Sequence, residues 1–425
     1  MKIKTRNTCR ICDSSLRYVL SLGHQMQGNI FPSKNDAPLP LAPLELVRCY
    51  SKKKNSACGL VQLKHTVPGS TLYKEYWYRS GVNQTMTDHL ANIARNAEQE
   101  IKLGNRDVVL DIGCNDGTLL HSYSIKGVKK IGIDPAKNVT LFAKKRGIKV
   151  INDFFSSSAF FRVSKKKAKI ITSIAMFYDL EDPNQFVSGI KKVLHNDGLW
   201  IMELSYLPMM LKQNSFDTIC HEHLEYYALG PVDFLLRNHE LEAIDVEFNK
   251  INGGSFRLYI MHRGRKKPSK RLLQARKNEA KLNLLTEEPY RIFRMNIEKI
   301  RNELTTLVKS EHKAGKKIYI YGASTKGNTI LQFCNLDNKL IRAAADRNPD
   351  KWGKITPGTN IPIISEAEAR AAKPDYFLVL PWHFIDEFIE REKDYLNSGG
   401  KFILPIPEVR IIDKKYLNIG IPPSL

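Results

Sequence analysis

A chain of 425 residues is too long for one ordinary hydrophobic core, so two or three domains are expected. Its 42% hydrophobic and 26% charged residues exclude a disordered or fibrous protein, and no apolar run reaches the roughly 18 residues of a membrane span. The net charge of +22 lies in short clusters at 52–54, 165–167 and 265–271 that lack interleaved aromatic rings, which argues against a nucleic-acid partner.

The charge reads either as attraction to a phosphorylated substrate or as solvated loops. The opening residues, Met1-Lys2-Ile3-Lys4-Thr5-Arg6, lack the apolar stretch of a secretory signal, so a cytoplasmic protein with no membrane contact is expected. Seven cysteines spread over so long a chain point to reduced thiols rather than a disulfide framework.

Residues 1–70 read as a short, loop-rich head that holds four of those cysteines. Cys9-Arg10-Ile11-Cys12 has the spacing of half a zinc knuckle, and Cys49 with Cys58 would complete the set. Four thiolates suit a closed, tetrahedral, structural Zn²⁺ with no open position for catalysis. A head this small buries little apolar surface, so a metal would supply folding energy that its core cannot. The alternative makes Cys49 and Cys58 unrelated core thiols.

From 71 to 268, β-runs alternate with helical stretches: 108–113, 129–134, 169–175, 198–204, and a late pair near Glu242–Glu247 and Phe256–Met261. That alternation predicts a doubly wound α/β domain. The charged stretch 269–312 reads as a helical connector. Four more β-runs, at 316–324, 340–346, 375–381 and 401–407, predict a second Rossmann-like unit over 313–425.

The stretch Val109-Leu-Asp-Ile-Gly-Cys-Asn-Asp-Gly117 joins a strand to a helix through a glycine-bearing turn. Gly113 and Gly117 let the backbone turn sharply and approach a ligand closely. Asp111, Asn115 and Asp116 would surround the methionine moiety of S-adenosylmethionine (SAM). Asp134, ending the second strand, would accept both ribose hydroxyls. Asp153 and Phe154, after the third strand, would meet the adenine edge and face. A dinucleotide site is disfavoured, because G-x-G-x-x-G is absent.

The segment Phe216-Asp-Thr-Ile-Cys220-His221-Glu222-His223-Leu-Glu225 is the most chemically loaded. It follows the fifth strand, on the side of an α/β sheet where ligands bind. A metalloprotease H-E-x-x-H is excluded, since Glu225 stands where the second histidine would be. His223 is suited to general-base chemistry, and Glu222 to orienting a hydroxyl or ring.

Taken in order, the cysteines, the 111–117 turn, His221-Glu222-His223, Asn252-Gly-Gly-Ser-Phe-Arg257, Tyr321-Gly-Ala-Ser-Thr-Lys-Gly-Asn328, Asp346-Arg-Asn-Pro349 and Pro357-Gly-Thr359 resemble the sugar-nucleotide C-methyltransferases of branched deoxysugar synthesis. The resemblance covers nearly the whole chain. It implies a zinc-bearing head, a class I SAM domain and a C-terminal Rossmann-like domain that helps clasp a nucleotide sugar.

It makes His223 the base and Glu222 its polar partner, with His221 beside them, and puts Tyr76 and Tyr78 at the active site. Cys220 stands where the family's run has tyrosine, and Tyr226, Tyr178 or a water would have to supply that hydroxyl. Arg257, Lys326 and Asn328 become candidate substrate contacts. The implied reaction removes a proton beside the ketone of a 4-keto-6-deoxyhexose nucleotide, C3 being the expected carbon, and methylates the enolate. An O- or N-methyltransferase acting on another small molecule, or an RNA-binding methyltransferase, are the alternatives.

Overall fold

The computed structural model describes residues 3–37, 39–52, 57–72 and 78–419. The head differs from the loop-rich expectation. Strands β1 (Leu16–Met26), β2 (Leu41–Cys49) and β3 (Val61–Leu63) form an antiparallel meander. Its register breaks between Tyr18 and Leu20 and again between Ser21 and His24. Each break moves side chains to the opposite face, so a strict alternation never develops in the sequence.

Helix α1 (Gln84–Glu100) begins where the Asn83 side chain accepts the Met86 N–H. The central sheet follows: β4 (Val108–Ile112), β5 (Lys129–Ile133), β6 (Lys149–Ile151), β7 (Ala168–Ile174) and β8 (Leu194–Ser205). Between β7 and β8, helix α2 (Pro183–Val193) starts with proline in its first turn and Asp182 capping Gln185 N–H. A two-residue strand, β9 (Glu225–Tyr226), leaves this domain altogether. It pairs with β3, Glu225 opposite Gln62, and so completes the sheet of the head.

Helix α3 (Leu229–Asn238), β10 (Leu241–Asn249) and β11 (Ser255–His262) close the domain. The sheet order is β10-β11-β8-β7-β4-β5-β6, with β11 antiparallel to both neighbours. Phe177, Phe186 and Trp200 pack edge-on and tilted on one face, with ring centroids 5.4–6.3 Å apart. Ile93, Ala94 and Ala97 of α1 belong to the buried cluster that includes Leu199 and Ile201.

The connector consists of two helices, α4 (Lys270–Ala280) and α5 (Glu288–Lys313). The first is anchored on the central domain. Buried Glu279 accepts from Leu229 N–H and Gly230 N–H, both at 2.8 Å, and so caps α3. The second buries a stripe of Tyr290, Phe293, Ile297, Ile300, Leu304 and Val308, the spacing of one helix face.

The last unit holds β12 (Ile318–Tyr321), α6 (Thr325–Phe333), β13 (Ala344–Asp346), β14 (Ile363–Ser365), β15 (Tyr376–Val379), β16 (Lys401–Leu404) and β17 (Arg410–Ile412). Sheet order is β14-β13-β12-β15-β16-β17, parallel except for the last strand. The molecule is therefore α/β, with a head, a class I methyltransferase domain and a second Rossmann-like domain. Among the described residues no helix is long and apolar enough to cross a membrane.

Candidate functional site

The four head cysteines converge. Sγ of Cys9 and Cys58 lie 3.4 Å apart, those of Cys12 and Cys49 3.3 Å, and all four fall within 4.8 Å of one another. A tetrahedron of thiolates around zinc has edges of about 3.8 Å, from Zn–S bonds of about 2.3 Å. The donor set and its spacing fit a structural zinc.

The residues expected to hold the methyl donor gather at the C-terminal ends of β4 and β5. Gly113 (φ +73°) and Gly117 (φ +77°) take the left-handed backbone that side chains disfavour. Asp134 is buried, and its two oxygens accept Asn115 N–H at 2.9 Å and Ala136 N–H at 2.8 Å. Each oxygen keeps a further lone pair for a ribose hydroxyl. Burial pushes Asp111 up to about 7, against the opposing hydrogen bond from Thr172 at 2.6 Å.

Asp116 and Asn115 have turned to another task. Asp116 Oδ1 accepts from Thr118 Oγ1 at 2.6 Å, and its Oδ2 accepts Gly81 N–H at 2.8 Å. Asn115 Nδ2 donates to the Tyr78 carbonyl at 3.0 Å, and its Oδ1 accepts Ser80 N–H at 3.2 Å. Together they strap residues 78–81 across the glycine turn. Tyr78 is thus held beside the glycine turn through its carbonyl, while Tyr76 lies outside the described residues. Asp153 and Phe154 are largely exposed beyond β6, and Asp153 approaches Arg162 at 3.7 Å.

A narrow cleft opens beyond β8, lined by Tyr178, Tyr206, Ser215, His223, Tyr226 and Gly253 among others. His223 Nδ1 lies 2.9 Å from the Thr218 carbonyl, which also accepts from Tyr226 Oη at 3.3 Å. A carbonyl can only accept, so the proton sits on Nδ1 and the Nε2 lone pair is available. The edge of the Tyr178 ring meets the imidazole at 4.5 Å. Burial first, and the Lys326 charge second, lower His223 to about 3, so it is neutral at pH 7. Burial alone raises Glu222 to about 7.

The other expected residues fall in different places. His221 is buried against the Ala42 carbonyl at 3.1 Å, turned toward the head. Cys220 is fully buried with its thiol pushed well up, a neutral group unlike a reaching hydroxyl. Arg257, expected at a substrate, is only 3% exposed and is committed to Glu203 at 2.8 Å and Glu247 at 3.3 Å. An arginine enclosed by two carboxylates is a counter-ion in the sheet rather than a hand in the cleft. Asn328 is fully buried and donates to the Gly28 carbonyl at 2.7 Å, which makes it an interdomain tie. Lys326, at the start of α6, is not among the residues lining the cleft, although its charge acts on His223, Asp217 and His383.

One contact near this segment joins residues far apart in the sequence. Trp382 Nε1 donates to Asp217 Oδ2 at 2.9 Å across the domain boundary, and His383 follows it. Pro-Trp-His-Phe at the end of a predicted strand was the available signal.

Residues 9–73 match the model of a zinc binding domain, 78–245 that of a methyltransferase domain, and 250–407 that of the C-methyltransferase C-terminal domain. The C-methyltransferase NovU of Streptomyces niveus is 31% identical over 420 residues, covering 96% of this chain and 98% of that protein. The ubiquinone biosynthesis O-methyltransferase of Pelagibacter ubique (strain HTCC1062) is 24% identical over 210 residues, 44% of this chain and 86% of its own. A crystal structure of a SAM-dependent methyltransferase from Clostridium acetobutylicum ATCC 824 aligns with a TM-score of 0.32 at 13% identity, covering 42% of this chain and 91% of that one. Similarity to NovU over nearly its full length makes this chain a member of the C-methyltransferase family, a SAM-dependent enzyme with a structural zinc in its head.

Proposed function

We propose that the chain methylates the carbon beside the ketone of a keto-deoxysugar nucleotide, most simply C3 of an NDP-4-keto-6-deoxyhexose, for branched-sugar synthesis. The observation that carries this reading is His223: a neutral imidazole in an enclosed cleft, its tautomer set by the Thr218 carbonyl. Such a ring takes a proton at Nε2 without first losing one. A proton beside a ketone is acidic enough for a positioned base, whereas a hydroxyl acceptor would not need an oxyanion site. Glu222, held near neutrality by burial, and the Tyr178 edge supply polarity for the developing enolate oxygen.

Bound SAM supplies an electrophilic methyl group on its sulfonium. Asp134 holds the ribose, and the 78–81 strap closes over the donor turn and excludes water there. Lys326 is the cation on the acceptor side, suited to a diphosphate. An anion bound there would cancel the charge that lowers His223 and so make the base stronger once substrate is in place.

The test is proton exchange. Incubated in D2O with a keto-sugar nucleotide and S-adenosylhomocysteine (SAH) in place of SAM, the enzyme should wash deuterium into the α-carbon. His223→Ala should abolish exchange and methylation while SAH still binds. Methylation of oxygen or nitrogen without exchange would overturn the reading.

A further inference from the structure

The zinc knuckle carries an arginine whose side chain is wholly enclosed. Arg10 lies between ligands Cys9 and Cys12, and its side chain is 0% exposed. Nη1 donates to the Leu63 carbonyl at 2.7 Å and to Gln62 Oε1 at 3.0 Å. Nη2 donates to Thr66 Oγ1 at 2.7 Å and faces Glu181 Oε2 at 3.5 Å. Nε stands 3.9 Å from Glu225 Oε1, also 0% exposed. No hydrogen bond joins Nε to Glu225, and burial pushes that carboxyl well up, so Arg10 reaches the second loop by close approach and through Gln62.

What these carboxylates are attached to gives the contact its meaning. Glu181 lies three residues after Tyr178, and Glu225 lies two residues after His223. Tyr178 and His223 meet in the cleft at 4.5 Å. The head holds the same segment elsewhere too: Lys4 and Arg6 bind Glu181 at 2.7 and 2.9 Å, and Asn184 Nδ2, at the start of α2, donates to the Arg10 and Ile11 carbonyls at 3.1 and 2.9 Å. The second loop is held by the β9–β3 ladder, which includes Gln62, itself an Arg10 partner. One guanidinium therefore lies behind both walls of the cleft.

We propose that Arg10 is a positioning residue for methyl transfer: from within the zinc knuckle it ties the loop bearing Tyr178 to the loop bearing His223 and fixes their relative placement. The zinc head thereby sets acceptor-site geometry without touching the acceptor. The planar fork, not charge alone, is what serves several acceptors at once, so lysine is a poor replacement. This inference rests on His223 as the base.

The test uses the full-length, zinc-loaded enzyme with Arg10→Lys and Glu181→Gln. Measured together are zinc content, SAH affinity, kcat and KM for the acceptor, and the ¹⁵N ring signals of labelled histidines, with His223 assigned through His223→Gln. Displacement of a base by a fraction of an ångström to one ångström costs up to about 100-fold. Arg10→Lys should keep one zinc and wild-type SAH affinity, lower kcat by about 10- to 100-fold with KM little changed, and shift the His223 signal but not that of His383. Glu181→Gln should give a smaller fall of the same kind.

Unchanged kcat and an unmoved His223 signal in a zinc-loaded variant would overturn the proposal, as would losses that only follow zinc loss. If Arg10→Lys does not fold, Glu181→Gln decides, because its side chain is 35% exposed and its replacement leaves the head's core intact. A wild type inactive on keto-sugar nucleotides, but whose His223 signal moves in Arg10→Lys, would refute the acceptor and leave the tie standing.

Discussion

Replacing Gly81 with alanine tests the strap over the methyl-donor turn. A Cβ at this position would lie 2.8 Å from Asp116 Oδ2, 2.8 Å from Thr118 Oγ1 and 3.2 Å from Arg146 Nη2. None of these can simply swing away, because Asp116 accepts from Thr118 Oγ1 at 2.6 Å and Arg146 donates to the same hydroxyl at 2.8 Å. The strap must lift, and the Gly81 N–H bond to the carboxylate is lost. A hydrogen bond to a charged group is worth about 1.5–3 kcal/mol. Since about 1.4 kcal/mol is tenfold in affinity, SAH should bind roughly 10- to 100-fold more weakly.

Titration calorimetry with SAH reads this directly. Gly23→Ala is the control: its φ is +78° and nothing lies within 4 Å of the added methyl. It should cost about 1–2 kcal/mol of stability through backbone strain and leave SAH affinity unchanged. A Gly81→Ala protein that binds SAH as tightly as wild type would show that the strap does not contribute to the donor site, and the reasoning fails.

Two further outcomes follow from the buried groups. His223 titrates near 3 when folded and near 6.5 as an ordinary histidine, so between those values the unfolded chain binds the extra proton and stability falls as pH falls. Its share between pH 6.5 and 4.5 is about 2 kcal/mol, so His223→Gln should lose about that much less than wild type in denaturant titrations at the two pH values. Identical pH dependence would contradict the buried neutral ring. Trp382→Phe removes the indole donor to Asp217 Oδ2, at a site 1% exposed. It should cost about 1–3 kcal/mol, and the cost should shrink when Asp217 is already asparagine. Additive losses would mean the pair does not couple the two domains.

Much of this was readable beforehand, for identifiable reasons. The parallel strands read as unbroken apolar runs because both faces are covered, and the 111–117 turn declares itself through glycines at obligatory left-handed positions. The cysteine pairs carry a metal spacing that owes nothing to the surrounding fold. By contrast, β14 and β17 have three residues each, too few for a pattern, and the head's meander hides behind its register breaks. Arg257 looked like a ligand because its partner Glu203 lies 54 residues earlier, on the neighbouring strand. Asp217 and Trp382 are 165 residues apart, and only the docking of two domains brings indole to carboxylate.

The small strand Glu225–Tyr226 has a consequence for the order in which the head is completed. It is read from the middle of the gene but completes a sheet begun at the amino terminus. During synthesis the head therefore emerges with an edge left open, and the polypeptide that fills it arrives about 160 residues later, with β10, β11 and the whole last unit still to come. Until then β3 is an unpaired edge, open to pairing with the wrong strand.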